Sequence, residues 1–251
     1  MSDLLGLMRL SGAVRSFTDE EIPDSVLWTI LDAARFAPSG GNRQGWSVIV
    51  VKDPTLRRTI RDHYVVSWRE YMAHVHAGLV PFAPKSAGSW HEPAVDLIAA
   101  RLSPQPSEFA DNLERVPVLL IVVVDLTQLA VTDNGLTRQS IVGGASIYPF
   151  VQNILLSANA MGLGGVVTTV ITRQEEALRP VLRLPRPWAI AALVALGHPV
   201  RPVRRLSRRE VSEFTVIDHF KGLPLVPGPG SPASTHTEPG REPAGRGGQR
   251  K

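Results

Sequence analysis

Met161-Gly162-Leu163-Gly164-Gly165-Val166-Val167-Thr168-Thr169 sets three glycines between two strongly apolar segments. Residues 140–161 are apolar around the whole helical circumference, which suits a buried helix, and residues 166–171 are β-branched, which suits a strand. The order is helix, glycines, strand. A dinucleotide-binding loop runs the other way, from strand through glycines into a helix whose N-terminus faces the pyrophosphate, so this is not that fingerprint. Taken alone, the glycines are open to two readings: a left-handed helix cap before ordinary strand residues, or a place where backbone approaches a ligand closely.

Working outward, periodicity places the other elements. Residues 24–36 set Val26, Leu27, Ile30, Leu31 and Ala34 at helical spacing behind Asp24, a residue suited to capping the first turn. Residues 47–51 and 118–124 are short, β-branched and apolar, as in strands covered on both faces. Residues 55–76 read as a long amphipathic helix, 174–182 as a further helix, and 188–196 as a strand that Gly197 and Pro199 end. The expected order is helix, strand, four times over.

At 251 residues, 43% hydrophobic and 20% charged, the chain buries a full core as one large domain or two small ones. Its apolar runs, residues 117–124 among them, are far short of the ~20 residues that span a bilayer, and the amino terminus carries no signal-peptide pattern. Absent cysteine removes disulfides, thiolate nucleophiles and Cys-ligated metals but leaves the compartment open, with cytoplasm as the default. Of the net charge of +4, residues 224–251 hold +2, from Arg241, Arg246, Arg250 and Lys251 against Glu238 and Glu242. The nearly neutral remainder offers no basic stripe for nucleic acid. Six Pro and six Gly make residues 224–251 an expected disordered tail on a domain spanning residues 1–223. Pro81, Pro84, Pro93, Pro104 and Pro106 punctuate residues 77–106, an irregular insertion around Phe82, Trp90 and a short helix near 94–101. A loop this long inside a domain suits a lid. Among the histidines only His74 and His76 lie close, and i,i+2 spacing on a helix points them apart, so no metal is expected.

Two more stretches carry chemistry. Ala37-Pro38-Ser39-Gly40-Gly41-Asn42-Arg43-Gln44-Gly45-Trp46 joins a helix to a strand; it reads either as an ordinary turn or as a backbone cradle, with Ser39 and Asn42 offering donors and acceptors. Residues 201–209 pack five arginines, which suit either a phosphate or a solvated surface. Arg15, among Ala13, Val14 and Phe17, is open to the same two readings.

In combination these stretches resemble the nitroreductase family of flavin enzymes. The residues concerned are Leu7-Met8-Arg9, Val14-Arg15-Ser16-Phe17-Thr18-Asp19-Glu20, Pro38-Ser39-Gly40-Gly41-Asn42 with Gln44 and Trp46, Gly162-Leu163-Gly164-Gly165, Leu196-Gly197-His198-Pro199, and Arg208-Arg209 before Val211. The resemblance implies an α+β three-layer sandwich, with a central mixed β-sheet flanked by helices, in an intertwined homodimer that holds FMN at each subunit interface. It places Arg15 and Arg208 at the FMN phosphate and ribityl end, and Pro38, Ser39, Gly40 and Asn42 in the turn that holds the flavin. Gly164 and Gly165 fall near flavin N5, where their backbone tunes hydride acceptance, and Val167, Thr168 and Thr169 continue that flavin-facing strand. No side chain is singled out as catalytic. NAD(P)H is the implied donor, and a nitroaromatic, quinone or similar small acceptor follows it in a ping-pong sequence. Relatives also act as dehydrogenases, dehalogenases or flavin-degrading enzymes, and a degenerate flavin binder is the further alternative. The family commonly has two basic residues and a Ser where this chain has Ser11-Gly12-Ala13. Arg9, Arg205 or Arg209 would then supply the missing phosphate contact, whose loss weakens binding roughly ten- to a hundredfold. Tyr71, Phe82, Trp90 and Phe109 are the expected stacking residues for a substrate under the insertion.

Overall fold

In chain order the helices are α1 (Leu4–Leu10), α2 (Asp24–Ala34), α3 (Pro54–His76), α4 (Leu97–Leu102), α5 (Glu108–Asp111), α6 (Tyr148–Ala160) and α7 (Glu175–Val181). The strands are β1 (Trp46–Val50), β2 (Val118–Asp125), β3 (Gly164–Thr168) and β4 (Trp188–Gly197). This computed structural model describes residues 4–84, 94–201 and 206–228, so Trp90, Arg204, Arg205 and most of the tail lie outside the described residues. The chain divides into a body ending at Leu206 and a C-terminal segment from Ser207.

The apolar runs of β2 and β4 take the centre of the sheet, whose strand order is β1-β2-β4-β3. Alternation along β2 sends Leu120, Val122 and Val124 to one face and Leu119, Ile121 and Val123 to the other. The first face packs on α2 and α6 through Leu27, Ile30, Phe150, Val151 and Ile154. The second packs on α3, α5 and α7 through Ile60, Tyr64, Phe109 and Leu178. This is the expected three-layer α+β sandwich. Each large apolar side chain fully buried there contributes ~1.5–3 kcal/mol, so the two covered faces dominate stability. The four described strands pair antiparallel throughout, and the mixed character expected of the sheet is confined to one parallel bridge, Ala13 with Gly165.

Element ends differ from expectation where local chemistry intervenes. Pro23 takes the cap position of α2, so Asp24 is its first helical residue and pairs with Lys52 instead of capping. Asp53 does cap α3, accepting from Leu56 N at 2.7 Å, with Pro54 in the first turn where its missing N–H costs nothing. The helix expected over residues 140–161 is shorter. Val142–Ser146 forms a 3-10 turn and α6 starts only at Tyr148, because Gly143 and Gly144 are poor helix formers and Pro149, which belongs in the first turn of a helix and not in its interior, follows them. The strand expected over residues 166–171 starts instead at Gly164, which pairs with Gly197, and ends at Thr168 before a 3-10 turn over Val170–Gln174.

Among its described residues the C-terminal segment carries a 3-10 turn, Val211–Glu213, and a bridge between Val216 and Pro224, with Ile217 N donating to Leu223 O at 2.9 Å. Arg209 lies 5.7 Å from the Phe214 ring, and Arg208 Nη1 donates to Ser207 O at 2.7 Å.

Candidate functional site

One corner of the sheet is built where residues 11–18 run along the start of β3. Val14 N donates to Gly165 O at 2.9 Å, and Thr18 N to His198 O at 2.9 Å. The docking needs Gly164 and Gly197, and the packing of the strand beneath it needs Gly165. A Cβ at Gly164 would sit 2.7 Å from Val14 Cγ2, one at Gly165 2.5 Å from Leu196 Cδ2, and one at Gly197 2.8 Å from the Phe17 ring. The two readings of the glycine stretch therefore divide by position: Gly162, at φ +80°, is the left-handed helix cap, whereas Gly164 and Gly165 are strand residues selected for close approach.

With Val14 buried, alternation turns Arg15 outward. Its guanidinium has no hydrogen bond among the described residues, and Arg15 lines two cavities. One, of about 200 Å³, lies between Gly12, Ala13, Gly165 and Val167 and the α6 amides Gln152 and Asn159. The other, of about 220 Å³, is bounded by Thr18, Asp19, Glu108, Asn112 and Arg115. Below the strand, Tyr64 OH lies 3.2 Å from Thr168 Oγ1. Burial pushes the Tyr64 hydroxyl above its ordinary pKa; the Thr168 hydrogen bond and the charge of Arg15 pull the other way. Tyr64 is therefore neutral at physiological pH. Thr169 O accepts from Thr172 N at 3.0 Å and from Thr172 Oγ1 at 2.8 Å, which ends the strand.

A second corner is the turn that leads into β1. Gly41, Asn42 and Gln44 all have positive φ, at 61°, 53° and 52°. The turn holds this conformation with its own polar groups. Ser39 Oγ accepts from Gln44 N at 2.9 Å, Gly40 N donates to Ser146 Oγ at 3.0 Å, and Arg43 Nη1 donates to Gly40 O at 3.0 Å. Gln44 Nε2 reaches Asn42 O and Oδ1, each at 3.2 Å. Pro38 is exposed ahead of it, and Trp46 stacks on Phe150 at 4.8 Å behind it.

Register separates the two corners. Trp46 is level with Val124 and Ala189, Gly165 with Leu196, and β1 and β3 are opposite edges of the sheet. The corners are thus about 20 Å apart along the strands and about 14 Å across them. The structure brings Arg15, Gly164, Gly165, Val167, Thr168 and Thr169 together and leaves Pro38, Ser39, Gly40 and Asn42 at the far diagonal. Arg208 belongs to the C-terminal segment.

Of the expected stacking residues, Tyr71 is stacked on Trp68 at 5.5 Å, Phe82 lies tilted against His74 at 4.6 Å, and Phe109 is buried edge-on to Tyr64 at 6.0 Å. Trp90 lies outside the described residues. Sequence reasoning passed over Gln152 and Asn159, although two amides seven residues apart on one face of a largely apolar helix are a readable signal.

A sequence model of the nitroreductase family matches residues 12–198, a stretch that contains both corners. The chain belongs to the nitroreductase family. Similar proteins include a Thermus thermophilus NADH dehydrogenase, 27% identical over 202 residues, with 79% of this chain and 89% of that protein covered. A Drosophila melanogaster iodotyrosine deiodinase is 29% identical over 217 residues, covering 85% of this chain and 69% of that one. In three dimensions, an FMN-bound nitroreductase from Desulfitobacterium hafniense superposes with a TM-score of 0.57 at 21% identity, over 87% of this chain and all of that one, which shows the shared fold. Arg208 lies beyond the matched stretch. No described helix is long and apolar enough to cross a membrane.

Proposed function

We propose that this chain is an FMN-dependent oxidoreductase that works as a homodimer and moves hydride from NAD(P)H to a nitroaromatic, quinone or similar small acceptor in a ping-pong sequence. The observation that carries the reading is the diagonal placement of the two corners. A single chain holds its Arg15–Gly165 corner too far from its Ser39–Asn42 corner for one flavin mononucleotide to bridge them, so a site using both takes one from each of two chains.

The residues present fit the cofactor. Arg15 offers an unengaged guanidinium to a phosphate, and Gly12 and Ala13 leave open space beside it. Gln152 and Asn159 supply amide donors and acceptors on the same cavity. The turn at Ser39–Asn42, already satisfied internally, presents a stiff polar surface. When bound, FMN supplies a ring that accepts and returns hydride at N5; the protein orients the visiting molecules and limits water. The iodotyrosine deiodinase relative favours reductive dehalogenation as a second use of the same site.

The test is complementation. Arg15→Gln and Asn42→Ala chains each bind flavin poorly alone. After unfolding and refolding together, half the dimers are hybrid and each has one intact site, so about a quarter of wild-type NAD(P)H turnover returns. Additive, unrestored activity would sink the shared-site reading. Turnover of a halogenated phenol in place of a nitroarene would move the assignment to the second use.

A further inference from the structure

Ser67, Glu70 and His74 follow one face of α3 and are all buried. A fully buried carboxylate is tolerable only with charge partners. Glu70 has two: Arg101 of α4, whose Nε lies 2.6 Å from Oε1, and Arg173 of the Val170–Gln174 turn, whose Nε holds Oε2. Both arginines use Nε, and among the described residues their Nη1 and Nη2 atoms make no hydrogen bond.

The two forks are close and held in place. Sharing one carboxylate keeps the Nε atoms within roughly 8 Å of each other. The Arg173 guanidinium lies 4.3 Å from the Phe82 ring centroid, and Phe82 in turn packs on the buried His74 ring. Arg69 Nη1 donates to the Arg101 backbone carbonyl at 2.9 Å and braces α4 on α3, while two arginines against one glutamate leave the cluster net positive. The Arg101 and Arg173 side chains keep 48% and 28% of their surface exposed, enough for a solute to reach them. Planar, pre-positioned forks of this kind receive a carboxylate or a phosphate. Arg101 lies in the insertion over residues 77–106, and Arg173 just follows the strand that ends at Thr168.

We propose that Arg101 and Arg173 form an oxyanion site that takes the carboxylate or phosphate of a molecule visiting the redox centre. The identity of the visitor rests on the function proposed above; the oxyanion site does not. Calorimetric titration of the whole chain with inorganic phosphate reads the site without flavin or turnover. Wild type binds, and Arg101→Lys binds about tenfold more weakly. The lysine preserves an ion pair with Glu70 but has one nitrogen and no second fork, so a merely structural role predicts equal affinity for the two proteins. Equal affinity, or no binding by either, overturns the proposal. Arg101→Gln is a second variant with the same expected loss.

Turnover then distinguishes the sources of the anion. A ratio of KM for NADPH to KM for NADH that rises about tenfold in R101K assigns the site to a dinucleotide phosphate. A like rise in the ratio for 4-nitrobenzoate over 4-nitrobenzyl alcohol assigns it to an acceptor carboxylate. If turnover proceeds and neither ratio moves, the proposal falls. A chain that binds phosphate through Arg101 yet takes up no flavin refutes the function proposed above and leaves the oxyanion site standing.

Discussion

The corner at the start of β3 and the corner at the start of β1 both depend on glycine, for opposite reasons. At β3, Gly164 removes a side chain so that Val14 can lie flat against the strand and Gly165 makes room for Leu196 and Leu155, and the result leaves Arg15 without a hydrogen bond among the described residues, between two cavities. At β1, Gly41 supplies a positive φ, and the turn spends its donors and acceptors on itself and on Ser146. One corner is a rigid platform and the other an open clamp. A turn that has consumed its own polar groups contributes shape to a ligand, while an unpaired guanidinium contributes charge.

The largest expected effect is at the close approach. Gly165→Val would drive a side chain into Leu196, Leu155 and the Ala195 carbonyl, at a cost of about 3 kcal/mol read from urea unfolding. A midpoint unchanged from wild type would break the claim that packing selects this glycine. Next, Arg15→Gln should weaken FMN binding roughly ten- to a hundredfold by flavin fluorescence titration. Ser39→Ala, which removes one internal bond of the platform, should cost about 1 kcal/mol of stability and change FMN affinity less than about fivefold. The reverse ranking would exchange the roles of the two corners.

The platform is itself braced by the segment that includes Asp133 and Ser146, which sharpens the comparison through pH. Asp133 accepts from Ile141 N at 2.9 Å, Ser140 Oγ at 2.7 Å and Arg138 Nη1 at 2.8 Å. These, the Ile141 amide first, hold its carboxyl well below the usual range. A depressed folded value means that the stabilisation is present above the unfolded pKa of about 3.9 and is lost as pH falls through the lower folded value. Limited proteolysis within residues 131–141 should therefore be unchanged from pH 7 to 5 in wild type and appear at pH 7 in Asp133→Ala. The smallest effect is at Tyr64. Its raised folded pKa makes its contribution present below the ordinary tyrosine value near about 10 and lost as pH rises through the higher folded one. Absorbance titration should show one tyrosine ionising late. Tyr64→Phe should abolish that step at a cost of about 0.5 kcal/mol.

Much of the sandwich was legible because its central strands are unbroken apolar runs and α3 carries both a cap and a periodic face. The start of α6 was not, since its apolar composition hid a break whose causes are Gly143, Gly144 and Pro149. Phe82 and Phe109 show the same limit: an aromatic in an irregular stretch looks available for stacking until its neighbours, His74 and Tyr64, are known. The Glu70 cluster was equally invisible, because its three members lie 31 and 103 residues apart and meet only when α4 and the turn after β3 close on α3.

By itself the order of residues determined the layers, the family and the stretches around Arg15, Ser39–Asn42 and Gly164–Gly165 that carry the family resemblance, since hydrophobic period and glycine spacing are local properties of the chain. Which of those residues stand together was decided only by strand register. Register is a long-range pairing that places Arg15 beside Gly165 and sends Ser39 to the opposite edge, and no local pattern encodes that separation.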